Sequence, residues 1–188
     1  STGAVTVVGA GGTTLKTTNG AAWTSLTGNN ALNFAPRSNY TISAWVKWAG
    51  ANGGDAAAHV IAQKNSHQYY LKTQTSNKWV EGEYAQNAAR EAATTTSVDT
   101  TWHYVAGVRN GNSSGSVYVD ANFTGALSGT FTTSTTTPDL QDQTTGFGIG
   151  RSSESAAQFW NGRIDEVVVA NAARSTDWIK LNYETQKP

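Results

Sequence analysis

The sequence predicts an all-β fold, a two-sheet antiparallel β-sandwich with a short C-terminal helix. Three observations carry that expectation. Short strand-like runs recur along all 188 residues, most of them ended by Gly, Asn, Asp or Ser. The composition, with 19 glycines, many threonines and only 14% charged residues, favours strands and turns over helices. No helical pattern alternates with the strands, which argues against a parallel β/α sheet.

Residues 4–8 form a β-branched opening run that stops at Gly9. Residues 13–18 and 22–26 flank Asn19-Gly20, a two-residue hairpin turn in which both residues tolerate positive φ. Residues 40–48 make the clearest strand, with Ile42, Ala44 and Val46 on one face and Ser43, Trp45 and Lys47 on the other. Strands follow at 60–63, 68–73 and 78–84, the last setting Val80, Gly82 and Tyr84 opposite Trp79, Glu81 and Glu83. Residues 102–109 and 116–120 are joined by a polar connection, and 124–132, 147–150 and 163–170 complete the set. Residues 49–58 and 85–97 read as loops, and the low-complexity stretches 94–97 and 132–138 as surface loop or edge strand. At the end, Ser175 is an N-cap and Asp177 sits in a first helical turn. Trp178 and Leu181, three apart, are expected to press one helix face onto the sandwich.

The length suits one domain spanning residues 1–188. A formal net charge of zero argues against nucleic acid, whose recognition needs a positive surplus to release counterions, and against a general membrane-surface role. No apolar run approaches the roughly 20 residues that cross a bilayer, so membrane insertion is not expected. With no cysteine there is no disulfide framework, thiolate metal site or cysteine nucleophile. The start at Ser1, without Met or a basic-then-apolar leader, reads as a segment excised from a longer protein. His59, His67 and His103 are scattered, with His103 read as structural, and no nucleophile elbow, phosphate loop or zinc-protease helix is present.

Several segments, taken in order, resemble the laminin-G-like, concanavalin-A-like lectin/glucanase domains of secreted bacterial proteins. Tyr40-Thr41-Ile42-Ser43-Ala44-Trp45-Val46-Lys47 is similar to that family's aromatic-T-I-S-A-W-V-K strand, and Trp102-His103-Tyr104-Val105-Ala106 to its W-H-x-V-A strand. Val117-Tyr118-Val119-Asp120, Ile149-Gly150-Arg151 and the run from Phe159 through Gly162, Ile164, Asp165 and Glu166 to Val167 follow the family order across roughly residues 15–183. Ala121 stands where the family usually has a turn glycine, and Ala22-Trp23 where relatives often have Asp before an aromatic. The resemblance implies a jelly-roll sandwich. It leaves lectin, adhesion and glycosidase functions open, because this fold hosts all three.

Three constellations carry candidate chemistry. With Tyr69, Leu71, Val80 and Tyr84 directed into the core, Tyr70, Lys72, Trp79, Glu81 and Glu83 would share an outer face. An exposed indole there can stack on a sugar's C–H face while Lys and carboxylates bond its hydroxyls. In the alternative, Trp79 is covered by a loop and the charges are merely solvated. Trp160 and Trp48 are candidate rim residues, whereas Trp23 and Trp102 read as core. The resemblance also implies a structural calcium ion, with Asp165 in the I-D-E-V segment as one candidate ligand and the loop acids Asp139 and Asp142 as another pair. Equally, Asp165 would cap a turn or pair with Arg163. Finally, Glu81 and Glu83 on one strand face are roughly 7 Å apart, within the separation a glycosidase needs. The third acid on one strand that laminarinase-like relatives carry is missing, since Ala85 follows Tyr84.

The expected function is a non-catalytic carbohydrate-binding module. Its partner would be a polysaccharide or glycan, and its parent a secreted, extracellular protein such as a glycan-degrading enzyme, to whose other domains it is covalently linked. The rivals are a protein-binding adhesion or structural module and a sandwich glycosidase. A flat apolar patch would favour the first rival and a cleft with convergent buried carboxylates the second.

Overall fold

A computed structural model of the protein describes residues 17–18, 21–22, 32, 34, 38–50, 58–64, 68–74, 76–85, 88–111, 114–126, 147–152 and 158–187. The expected strand at 4–8, most of the run 124–132, Trp23, His67, Asp139 and Asp142 lie outside these residues. In chain order the strands are β1 (Thr17–Thr18), β2 (Ala21–Ala22), β3 (Tyr40–Trp48), β4 (Val60–Lys64), β5 (Tyr69–Thr73) and β6 (Lys78–Ala85). After them come β7 (Ala88–Ser97), β8 (Trp102–Asn110), β9 (Ser114–Val119), β10 (Asn122–Ala126), β11 (Phe147–Ile149) and β12 (Gly162–Ala170), then the helix α1 (Thr176–Gln186).

Two five-stranded sheets form the sandwich, the first in the order β10-β9-β8-β3-β12 and the second in the order β11-β4-β5-β6-β7. The ladders are antiparallel, as expected. Strand β3 lies between β8 and β12, and β11 beside β4, so the chain crosses between distant elements as a jelly roll requires. The small hairpin β1–β2 pairs Thr18 with Ala21 across Asn19-Gly20, where the sequence placed the turn.

The alternation of β3 decides which side of the first sheet faces inward. Ile42, Ala44 and Val46 join Tyr69, Leu71 and Trp79 of the second sheet in one core cluster. Phe34, Tyr40 and Tyr69 stack within it, with ring centroids 5.8 Å and 5.0 Å apart for the two pairs that Phe34 makes. Burial of each such large side chain contributes about 1.5–3 kcal/mol, and these contacts hold the sheets together.

The outer face of the first sheet carries a second cluster of Trp45, Tyr104, Ala106, Val108 and Tyr118, covered by α1 through Ile179. Ser175 caps the helix, its hydroxyl accepting from the Trp178 amide at 3.2 Å. Leu181, expected to share the docking face with Trp178, is instead 61% exposed, and the buried anchor is Ile179. At about 100° per residue, Leu181 points away from the face shared by Ile179 and Tyr183.

Residues 88–97, read as a loop apart from the stretch 94–97, form the edge strand β7. The β9–β10 hairpin stays tight without its turn glycine: Val119 pairs with Asn122, and Asp120 and Ala121 both take positive φ, 50° and 62°. That is the type I′ geometry of a two-residue turn.

Candidate functional site

The strand faces expected to form a stacking platform separate in the structure. Strand β5 follows the expectation, with Tyr69 and Leu71 in the core. Strand β6 is inverted. Antiparallel partners share a face, and Leu71 pairs with Glu81 and Thr73 with Trp79, so Trp79, Glu81 and Glu83 point between the sheets. Trp79 is 1% exposed. It stacks on Trp160 at 6.0 Å and meets His103 edge-on at 5.9 Å. Trp160 is itself buried and donates its indole N–H to the Arg163 carbonyl at 3.2 Å. Trp48 is buried against His59, 6.1 Å between rings. None of these three indoles is therefore an exposed rim or platform, because the area they bury serves the core better than a wet surface.

Tyr70 and Lys72 do not present a free surface either. Tyr70 is buried, and its ring covers Gly82, where an added Cβ would lie 2.7 Å from Tyr70 Cε2. The Tyr70 hydroxyl donates to Glu91 at 2.9 Å, Gln74 donates to the same carboxylate at 2.5 Å, and the Lys72 ammonium pairs with it at 2.9 Å. Lys72 also lies 4.1 Å over the Tyr70 ring. Burial raises the Glu91 carboxyl, but Lys72 and these hydrogen bonds outweigh it and hold the group below its ordinary range. This is a self-satisfied network organised by Glu91, a residue that the loop reading of 85–97 concealed.

Glu81 and Glu83 are fully buried. Glu81 accepts a 2.6 Å hydrogen bond from the Tyr40 hydroxyl, and Glu83 pairs with Arg109 at 2.9 Å. Burial pushes the Glu81 carboxyl up to about 8, with Glu83 adding to the shift and Tyr40 and Arg109 opposing it. The pair sits inside the core rather than in a cleft, so a substrate has no access to it. His103 is held between Asp120 at 2.7 Å and Asp99 at 3.1 Å, and the hydrogen bond it donates to the Asp120 carboxylate leads in raising its pKa against the effect of burial. These contacts tie β8 to the β9–β10 turn and to the residues before β8.

The implied calcium finds no fitting donor set among the described residues. No group of three or more His, Asp or Glu side chains converges there. A calcium site needs six to eight oxygens. Asp165 instead accepts the Glu166 amide at 2.9 Å, steadying the bulge between Asp165 and Val168.

A recess of about 370 Å³ opens on the outer face of the first sheet, lined by Trp45, Trp102, Asp165, Glu166 and Gln186. The β3–β12 register places Asp165 beside Trp45, and the bulge turns Glu166 to a φ of 49°. Trp45 stacks on Tyr183 of α1 at 5.7 Å and donates its indole N–H to Gln186 at 3.2 Å, so the last helical turn forms one wall. Trp102, expected in the core, is partly exposed at this recess. An indole beside two exposed carboxylates and a carboxamide offers a sugar both an apolar face and hydrogen-bond partners. Sequence spacing carried part of the signal, since Trp45 and Lys47 fall on the face opposite the core, but the bulge and the helix wall have no local signature.

Two packed antiparallel sheets in this order, with their motifs on β3, β8, β9 and β12, define a lectin-like jelly-roll domain. The chain belongs to the concanavalin A-like lectin/glucanase superfamily, whose family model matches residues 15–180. No curated protein matches the sequence significantly. Among solved structures, the chain is similar to the binding domain of Paraclostridial mosquitocidal protein 1, with a TM-score of 0.63 and 11% identity over 87% of this chain and 41% of that one. It is also similar to botulinum neurotoxin type C, whose cell entry depends on interaction with two ganglioside molecules, with a TM-score of 0.61 and 12% identity over 86% of this chain and 39% of that one. A sialidase of Trypanosoma rangeli aligns at a TM-score of 0.55 and 18% identity, over 80% of this chain and 24% of that one. At these identities the likeness is one of fold. The chain spans about two fifths of the length of the first two structures. Among the described residues, no helix is long and apolar enough to cross a membrane.

Proposed function

We propose that this domain is a non-catalytic carbohydrate-binding module of a secreted protein, and that it holds glycan in the recess beside α1. The observation that carries the reading is the pairing of a partly exposed Trp102 with the Asp165 and Glu166 carboxylates and the Gln186 carboxamide around one recess. Membership of a lectin and glucanase superfamily supports it. The burial of Glu81 and Glu83, the carboxylate pair spaced for glycoside hydrolysis, supports binding without bond cleavage. The solved structures it resembles, of which this chain spans about two fifths, support a module attached to further domains.

A glycan array combined with polysaccharide pull-down, run with calcium and with EDTA, tests the reading. Retention on at least one polysaccharide without release of new reducing ends is the expected result. Failure to retain any glycan under either condition, or the appearance of new reducing ends, would overturn it.

A further inference from the structure

We infer that the recess and its rim select an uncharged glycan chain, an inference that rests on the carbohydrate reading above. Lys47 pairs with both Trp102 and Arg163, so these three residues form one row across β8, β3 and β12. Lys47 and Arg163 are exposed on the outer face. The next outward row along β3 holds Trp45 and Asp165, followed by Glu166 at the bulge. Neighbouring strands lie about 4.8 Å apart and outward residues on one strand about 7 Å apart. Two cations and two carboxylates thus occupy a patch about the size of two sugar rings, with the Trp102 indole at its side.

The charges on this patch cancel. A uronate would gain from Lys47 and Arg163 but meet Asp165 and Glu166 within the same footprint. An amino sugar would meet the reverse arrangement. A neutral polyol suffers neither conflict, since each hydroxyl both donates and accepts. Its hydroxyls can donate to Asp165 and Glu166 and accept from Lys47 and Arg163 while a pyranose face stacks on Trp102. Selectivity then arises as much from charge conflict with the wrong polymers as from contacts with the right one.

Affinity electrophoresis of the whole domain decides the matter, in gels containing a neutral glucan or mannan, a polyuronate or chitosan, each at low and high salt. Retention is expected in a neutral gel, changing by less than about twofold with salt, because few ions are released on binding a neutral chain. The double variant Lys47→Glu/Arg163→Glu, altered only at exposed positions, is expected to gain salt-sensitive retention on chitosan. Stronger retention of the parent domain on polyuronate or chitosan, abolished by salt, would overturn the charge selectivity and leave the carbohydrate reading standing. Absence of retention in every gel would overturn both.

Discussion

Gly107 on β8 faces Glu81 on β6 across the two sheets so closely that a Cβ at position 107 would overlap the Glu81 side chain. A glycine inside a strand marks such an approach, and here it makes room for a carboxyl group in the core. Gly107→Ala is expected to cost about 1–3 kcal/mol by overpacking. A lowered urea midpoint with an unchanged slope is the signature, and an unchanged midpoint would contradict the packing.

The same carboxyl makes stability depend on pH. Burial raises Glu81 in the folded domain to about 8, against an ordinary value of 4.5. The folded state therefore keeps a proton that the unfolded chain has released. The contribution is fully present below about pH 4.5 and declines as pH rises through about 8, by about 1.4 kcal/mol per unit within that window. His103, whose pKa is also raised, acts in the same direction, so the Glu81→Gln variant isolates the carboxyl. Denaturation curves measured from pH 5 to pH 8 are expected to show a shallower decline for Glu81→Gln than for the parent; identical slopes would remove Glu81 as the cause.

Ala121 takes a φ of 62° in the β9–β10 turn, a conformation that strains any residue with a Cβ. Ala121→Gly is expected to stabilise the domain by about 1 kcal/mol, read as a higher melting temperature. A lower one would show that the methyl group's contacts with the outer cluster outweigh the strain.

Much of the fold is legible in the sequence because its signals are local. The alternation of Ile42, Ala44 and Val46, the Asn19-Gly20 turn and the Ser175 cap each depend on a few adjacent residues. Strand β7 escaped because its Ala, Arg and Glu residues have low strand propensity, and pairing with β6 overrides it. The candidate site escaped for a different reason. Sequence alternation sorts β6 into two faces but does not say which faces inward. That is set by register against β5, and a pattern placing two glutamates in the core runs against the usual expectation for charge. Tyr40 and Arg109, which make that burial possible, are distant in sequence. Trp102 resembled a core tryptophan because only the bulge at Glu166 and the end of α1 create the recess beside it.

Trp79 holds the two sheets together. Its indole is buried against Trp160 and His103, so Trp79→Ala is expected to cost about 3–5 kcal/mol. Calorimetry checks this, and a variant as stable as the parent would contradict the inward orientation of β6.

The most direct test of the carbohydrate-binding site is Trp102→Ala in affinity electrophoresis on the polysaccharide that the parent domain binds. The variant is expected to melt cooperatively and to lose affinity by about tenfold or more. Retention equal to that of the parent would contradict it, because the recess beside α1 would then not be where glycan binds.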